Sequence, residues 1–187
     1  FIREQVMEFT VEDVKRHSFT LKQKKKLYTR KKSRAAFDLY QMKAQGRGET
    51  IERMVAEKLA SEYEHIVSST QTKSNHPYDI DVLLDCGRHL KVEVKSSLYV
   101  DNSKYPYFQF QNVHIDNFDY CIFVAVTPVG LRAFWASYSD LRRNTSLGEW
   151  GRDGCSDRQI LGVRFRFKDD WSGPYPTWLR HMEDFPF

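Results

Sequence analysis

The spacing of apolar residues changes near residue 66. Before it the spacing is helical. Thr20 stands where it could cap a helix, and Leu27, Ala35, Leu39 and Met42 continue it loosely to Gln45, while Phe1 to His17 carries only short helical patches. Gly46 and Gly48 then punctuate, and Ile51, Met54, Val55, Ala56 and Leu59 line one side of a second helix predicted over residues 50–64. From Ile66 onward short runs rich in β-branched and aromatic residues predict strands: HIVSS, YDIDVLL, HLKVEV, FQFQNV, YCIFVAV and LRAFWAS. SDLRRN predicts a short helix, NTSLGEWGRDG a loop, ILGVRFRF a late strand and DDWSGPYPTW a tail broken by Pro and Gly. The order predicts an α/β domain in which a mixed sheet of about four or five strands is flanked by helices.

One predicted hairpin carries more charge than a hairpin needs. In PYDIDVLLDCGRHLKVEVKSS, Ile80, Val82 and Leu84 alternate on one strand and Leu90, Val92 and Val94 on the next, so both sets must face the same side of the sheet. An odd number of loop residues satisfies this. A loop of Cys86, Gly87 and Arg88 would set Asp81 across from Glu93 and Asp79 across from Lys95, with facing Cβ atoms about 4.5 to 5.5 Å apart. Carboxylates gathered so closely raise one another's pKa unless a cation neutralises them, and Lys95 offsets only one charge. Mg²⁺, a hard cation that takes carboxylate, water and phosphate oxygens, would offset the rest. The face therefore argues for phosphate chemistry, with Lys95 placed to hold the scissile phosphate or to activate an attacking water. The plainer alternative is a solvated set of cross-strand ion pairs, each worth under about 1 kcal/mol.

Composition and charge narrow the partners. A chain of 187 residues with 41% hydrophobic and 14% aromatic content is sized and composed for one compact domain, not a disordered segment. The net charge of +4 is unevenly spread: Lys15, Arg16, Lys22, Lys24, Lys25, Lys26, Arg30, Lys31, Lys32, Arg34, Lys43 and Arg47 crowd a stretch whose one acid is Asp38. Such asymmetry points to a polyanion, although a solvated helix face would look the same. No apolar run approaches the roughly 20 residues of a membrane span and no signal-peptide pattern is present, so no membrane partner is expected. Cys86, Cys121 and Cys155 are widely spaced and in no metal-ligand pattern, which suits reduced thiols of an intracellular protein. His76, His89 and His114 lack zinc spacing. The chain opens on Phe, which leaves room for residues before it.

Pro77-Tyr78-Asp79 followed by Glu93-Val94-Lys95 resembles the core signature of the PD-(D/E)xK nuclease superfamily, which includes many type II restriction endonucleases and archaeal Holliday junction resolvases. Glu52, in Gly48-Glu49-Thr50-Ile51-Glu52-Arg53, occupies the place of that family's upstream helix acid, with Glu49 and Glu57 as competitors. The segment FQFQNVHIDNFDYCIFVAVTPVGLRAFW also looks like the restriction-type core, and the likeness spans about residues 46–141.

The resemblance implies a restriction-endonuclease-like core, placed over residues 46–187; charge and spacing add a basic helical N-terminal region of residues 1–45 before it, and Pro and Gly give the core an irregular C-terminal tail. It implies an Mg²⁺-dependent endonuclease of double-stranded DNA, with Mn²⁺ able to substitute, acting as a homodimer in a prokaryotic or viral cytoplasm. Asp79, Glu93 and the Val94 carbonyl would bind the metal, with Asp81 in reserve; Glu52 would assist through water or a second ion, and Lys95 would position or activate the water. Lys24, Lys25, Lys31, Lys32 and Arg34 would contact DNA phosphates, and Gln109 and Gln111, on one strand face, would approach the nucleic acid, the alternative being polar residues at the core edge. A resolvase, a repair or mobile-element nuclease, and a binding module without chemistry are the alternatives.

Overall fold

The computed structural model describes residues 34–73, 76–99, 108–114, 117–127, 130–144, 160–165 and 178–186. Helices α1 (Arg34–Gln41) and α2 (Ala44–Glu62) precede the strands β1 (Ile66–Gln71), β2 (Ile80–Leu84), β3 (His89–Leu98), β4 (Phe108–His114), β5 (Tyr120–Val126) and β6 (Leu131–Ser137). Helix α3 (Tyr138–Asn144), β7 (Ile160–Phe165), β8 (Arg180–His181) and a 3₁₀ turn at Met182–Asp184 follow. Six strands form one mixed sheet in the order β1-β2-β3-β5-β6-β8, and β4 and β7 pair as a separate ribbon. Neighbours in the sheet are antiparallel except β3 and β5, which run parallel.

Alternation assigns each strand residue to one of two cores. On one face, Ile80, Val82, Val92, Val94, Ile122 and Val124 pack with Leu39 of α1 and Ile51, Val55 and Leu59 of α2. On the other, Cys121, Phe123, Ala125 and Phe134 meet Phe108, Phe110 and Val113 of β4 and Leu141 of α3. β5 is covered on both faces, which is why YCIFVAV is apolar without a break.

Helix α2 starts earlier than the sequence pattern predicts and runs through Gly46 and Gly48. Packing of its apolar side outweighs the helix cost of glycine, about 1 kcal/mol each. The break falls instead at Met42 and Lys43, where the Met42 N–H donates to the Leu39 carbonyl at 3.2 Å and Arg47 Nη1 donates to the Met42 carbonyl at 2.9 Å. Of the predicted tail DDWSGPYPTW only Trp178 is among the described residues; the chain is ordered beyond it. β8 adds to β6, Trp135 Nε1 donates to the His181 carbonyl at 2.8 Å, and the Tyr63 hydroxyl donates to the Met182 carbonyl at 2.6 Å.

The β2–β3 register differs by two residues from the sequence-based expectation. Leu83 faces His89, Val82 faces Leu90, Asp81 faces Lys91 and Ile80 faces Val92. The loop is Asp85, Cys86 and Gly87, closed by the Leu84 N–H donating to the Arg88 carbonyl and the Gly87 N–H donating to the Leu84 carbonyl, each at 2.9 Å. Gly87 has φ of +80°, the left-handed residue that ends a three-residue hairpin loop, so it must be last in the loop and not central. The odd loop length keeps both apolar sets on one face, but Asp81 loses Glu93 as its partner. Open space surrounds a Cβ at Gly87, so Gly87→Val adds backbone strain alone. A loss of about 1 to 2 kcal/mol is expected, read from the urea midpoint.

Candidate active site

Glu93 and Lys95 stand on the β3 face turned away from α2, beside Cys121 and Phe123 of β5. That apolar flank leaves Glu93 4% exposed, and Lys95 Nζ pairs with Glu93 Oε1. Asp79 lies one step before β2, at the level of Glu93. Its N–H donates to the Val92 carbonyl at 3.1 Å, and its Oδ2 accepts the Val94 N–H at 2.8 Å. The β2 ladder ends at Ile80, so the carboxylate takes the acceptor position that the strand would otherwise fill. A strand residue turns its N–H and carbonyl to the same side, so the Val94 carbonyl also faces the Asp79 side of β3.

Glu52, on α2, couples electrostatically to the same group. It is half-buried, and its Oε2 accepts Gln71 Nε2 at 2.7 Å. Burial and then the Asp79 charge raise its pKa against the opposing pull of the Gln71 hydrogen bond and Lys95. Burial pushes Glu93 up to about 7, with Asp79 and Glu52 adding to the rise and Lys95 opposing it. Burial works against the Lys95 charge, but Glu93 and Asp79 outweigh it and raise its pKa. Asp79, Glu93, Lys95 and Glu52 therefore form one electrostatic group.

Asp81 is not a member. Its Oδ1 pairs with His89 Nδ1 at 2.7 Å and its Oδ2 accepts the Tyr78 hydroxyl at 3.1 Å, out on the exposed part of the hairpin. The loop register is the reason: it sets Asp81 opposite Lys91. Of the competing helix acids, Glu49 accepts Gln45 Nε2 at 3.2 Å on the exposed side and Glu57 is also exposed.

Among the described residues, no three His, Cys, Asp or Glu side chains stand ready as a metal cluster. The donors nevertheless suit a hard cation, since Asp79, Glu93 and the Val94 carbonyl offer only oxygen. A cation there would also offset the Asp79 and Glu52 charges, which add to the rise that burial causes at Glu93.

Gln109 is half-buried in β4, and its N–H donates to Ser97 Oγ at 2.9 Å. Gln111 lies in β4 and Arg34 opens α1, but their side chains lie outside the described part of the molecule, as do Lys24, Lys25, Lys31 and Lys32 altogether. A cavity of about 310 Å³ lined by Arg88, His89, Asp119, Tyr120, Ser137 and Tyr138 among others contains none of the four grouped residues. Two of its polar groups serve the fold: Asp119 Oδ2 accepts the Lys91 N–H at 2.8 Å, and Ser137 Oγ accepts the Asp140 N–H at 3.1 Å at the start of α3. Sequence reasoning missed Gln71 and the Tyr78–Asp81–His89 set. Tyr78 and His89 belong to the charged β2–β3 hairpin, and with the loop at Asp85–Gly87 the hairpin register brings His89 within reach of Asp81.

The sequence matches no protein-family model and no curated protein.

Proposed function

We propose that this chain is an Mg²⁺-dependent endonuclease of double-stranded DNA, with a type II restriction endonuclease of the PD-(D/E)xK superfamily as the leading reading and a homodimer as its working form. The observation that carries the proposal is the gathering of Asp79, Glu93 and Lys95 around the Val94 peptide, with the Glu52 charge on α2 near enough to couple to Asp79 and Lys95. The order of helix acid, hairpin pair and two further strands supports it as well.

Asp79, Glu93 and the Val94 carbonyl would hold Mg²⁺, which when bound would supply positive charge against the negative charge that builds on the phosphate oxygens. Lys95 holds Glu93 and presents an ammonium beside it, suited to grip a phosphate oxygen of the scissile group. Glu52 accepts hydrogen bonds and so can orient a water toward the phosphorus. Val94 contributes through its backbone, with its side chain in the core.

Plasmid DNA with Mg²⁺ or EDTA tests the proposal. Discrete fragments with Mg²⁺ and none with EDTA are expected; selective cutting of four-way junctions would favour a resolvase, and uncut but gel-shifted DNA would leave only a binding module. The proposal also assigns Lys24, Lys25, Lys31 and Lys32 to DNA phosphates. Neutralising all four should weaken cognate and unrelated DNA alike and flatten the slope of log K against log salt by about 0.9 per lost contact. An unchanged slope would remove the arm from the interface.

A further inference from the structure

We infer that Gln71 is a positioning residue for Glu52, and that the β-bulge in β1 exists at this place to aim it; the inference rests on the nuclease reading of the same site. β1 does not keep simple alternation. Ile66 faces Leu84, but after a register shift between Ile66 and Ser68 the pairs become Ser69 with Val82 and Gln71 with Ile80. Leu84, Val82 and Ile80 point to the α2 face, so the β1 residues on that face are Ile66, Ser69 and Gln71. Without the extra residue the face would carry 66, 68 and 70, and Gln71 would point away from α2. Val67, 62% exposed, is the residue spent on the shift. Bulges that re-aim one side chain belong near functional sites.

The re-aimed carboxamide is used. Gln71 Nε2 donates to Glu52 Oε2 at 2.7 Å, which joins the last residue of β1 to the helix acid. The next residue fixes the other side of the site. The Thr72 N–H donates to the Asp79 carbonyl at 2.8 Å and Thr72 Oγ1 donates to the Tyr78 carbonyl at 2.5 Å. Gln71 and Thr72 thus tie the Glu52 carboxylate and the Asp79 backbone to adjacent points of one strand. Two acids from different elements then keep a constant separation, which a helix packed only through Ile51 and Val55 would not ensure. A neutral amide suits the task, because a lysine there would compete with Lys95 for the acids and a carboxylate would repel them.

The test is a double-mutant cycle on the full chain. Gln71→Met keeps the length of the side chain and removes the donor; Glu52→Gln removes the charge. Gln71→Met is expected to lower kcat on plasmid DNA by about 10- to 100-fold, the usual cost of losing a group that orients a functional ligand, with KM and thermal midpoint nearly unchanged. The double variant should be no slower than Glu52→Gln alone, since Gln71 acts only through Glu52. If the two losses multiply, or if Gln71→Met cuts as fast as wild type, Gln71 does not position Glu52 and the inference is overturned while the nuclease reading stands. A wild-type protein that cuts no DNA with Mg²⁺ overturns the nuclease reading and this inference with it.

Discussion

Lys95→Ala is expected to abolish Mg²⁺-dependent cutting while DNA affinity stays close to wild type, because phosphate contacts elsewhere dominate affinity. Glu93→Ala should do the same. The two variants separate in stability. Lys95→Ala leaves Glu93 buried beside Asp79 without its cation, so its carboxyl holds a proton still more strongly. A carboxyl whose folded pKa is raised makes the folded state the better proton binder between its unfolded value and its folded one. Stability then falls as pH rises through that window, here from about 4.5 to about 7 in the wild type. The Lys95 pair has the same sign in a higher window: its contribution is present below the ordinary lysine pKa and is lost only as pH climbs through the raised folded value. Lys95→Ala should therefore lose more stability at about pH 8 than at about pH 5, measured as urea midpoints. Glu93→Ala, which removes the titrating carboxyl, should show a flatter profile than wild type over the same range. If Lys95→Ala retains near wild-type turnover, Lys95 is an ion-pair partner of Glu93 and nothing more.

The strands are legible in the sequence because this sheet buries its faces in a regular way. β5 is covered on both sides and appears as an unbroken apolar run; β2 and β3 place their even-numbered apolar residues toward α2 and appear as alternation. A common face for Asp79, Glu93 and Lys95 follows from the same alternation, and the resemblance of Pro77-Tyr78-Asp79 and Glu93-Val94-Lys95 to a known signature put Asp79 ahead of Asp81. A loop of Cys86, Gly87 and Arg88 has the right parity and the wrong register. Parity follows from the apolar pattern alone, whereas register depends on which loop residue adopts positive φ, and Gly87 could have stood second or third. Gln71 was out of reach for a different reason. Its orientation depends on a bulge at Val67, and a bulge in IVSSTQ leaves no mark in a run of polar and β-branched residues. The start of α2 was misplaced because glycine carries a helix cost that local propensity registers, while the packing of Leu39 and Ile51 into one core is a tertiary effect.

Asp79→Asn is expected to lower the cutting rate by at least about a hundredfold, since losing even an outer-shell partner of a metal ligand costs about 10- to 100-fold. Asp81→Asn should leave the rate within a few-fold of wild type. The two aspartates are two residues apart on one short segment, so the contrast separates the acid at the Val94 peptide from the acid on the exposed hairpin. Asn at 79 can still accept the Val94 N–H through its carbonyl oxygen, which preserves the local fold that the 2.8 Å bond maintains. What it removes is one negative charge and one ligand oxygen. Asp81 serves Tyr78 and His89 on the exposed hairpin, and Asn can keep the Tyr78 bond. A second readout does not depend on activity. The Asp79 charge is among the causes that raise Glu93, so Asp79→Asn should bring the Glu93 titration down and flatten the fall in stability toward about pH 7. Asp81→Asn should leave that profile as it is. If the activity ranking is reversed, Asp81 is the working acid, and the hairpin must open its bond to His89 before the site can act. If both variants cut normally while Lys95→Ala does not, neither aspartate binds the metal, and the ligand set has to be sought among Glu52, Glu93 and the carbonyl of Val94.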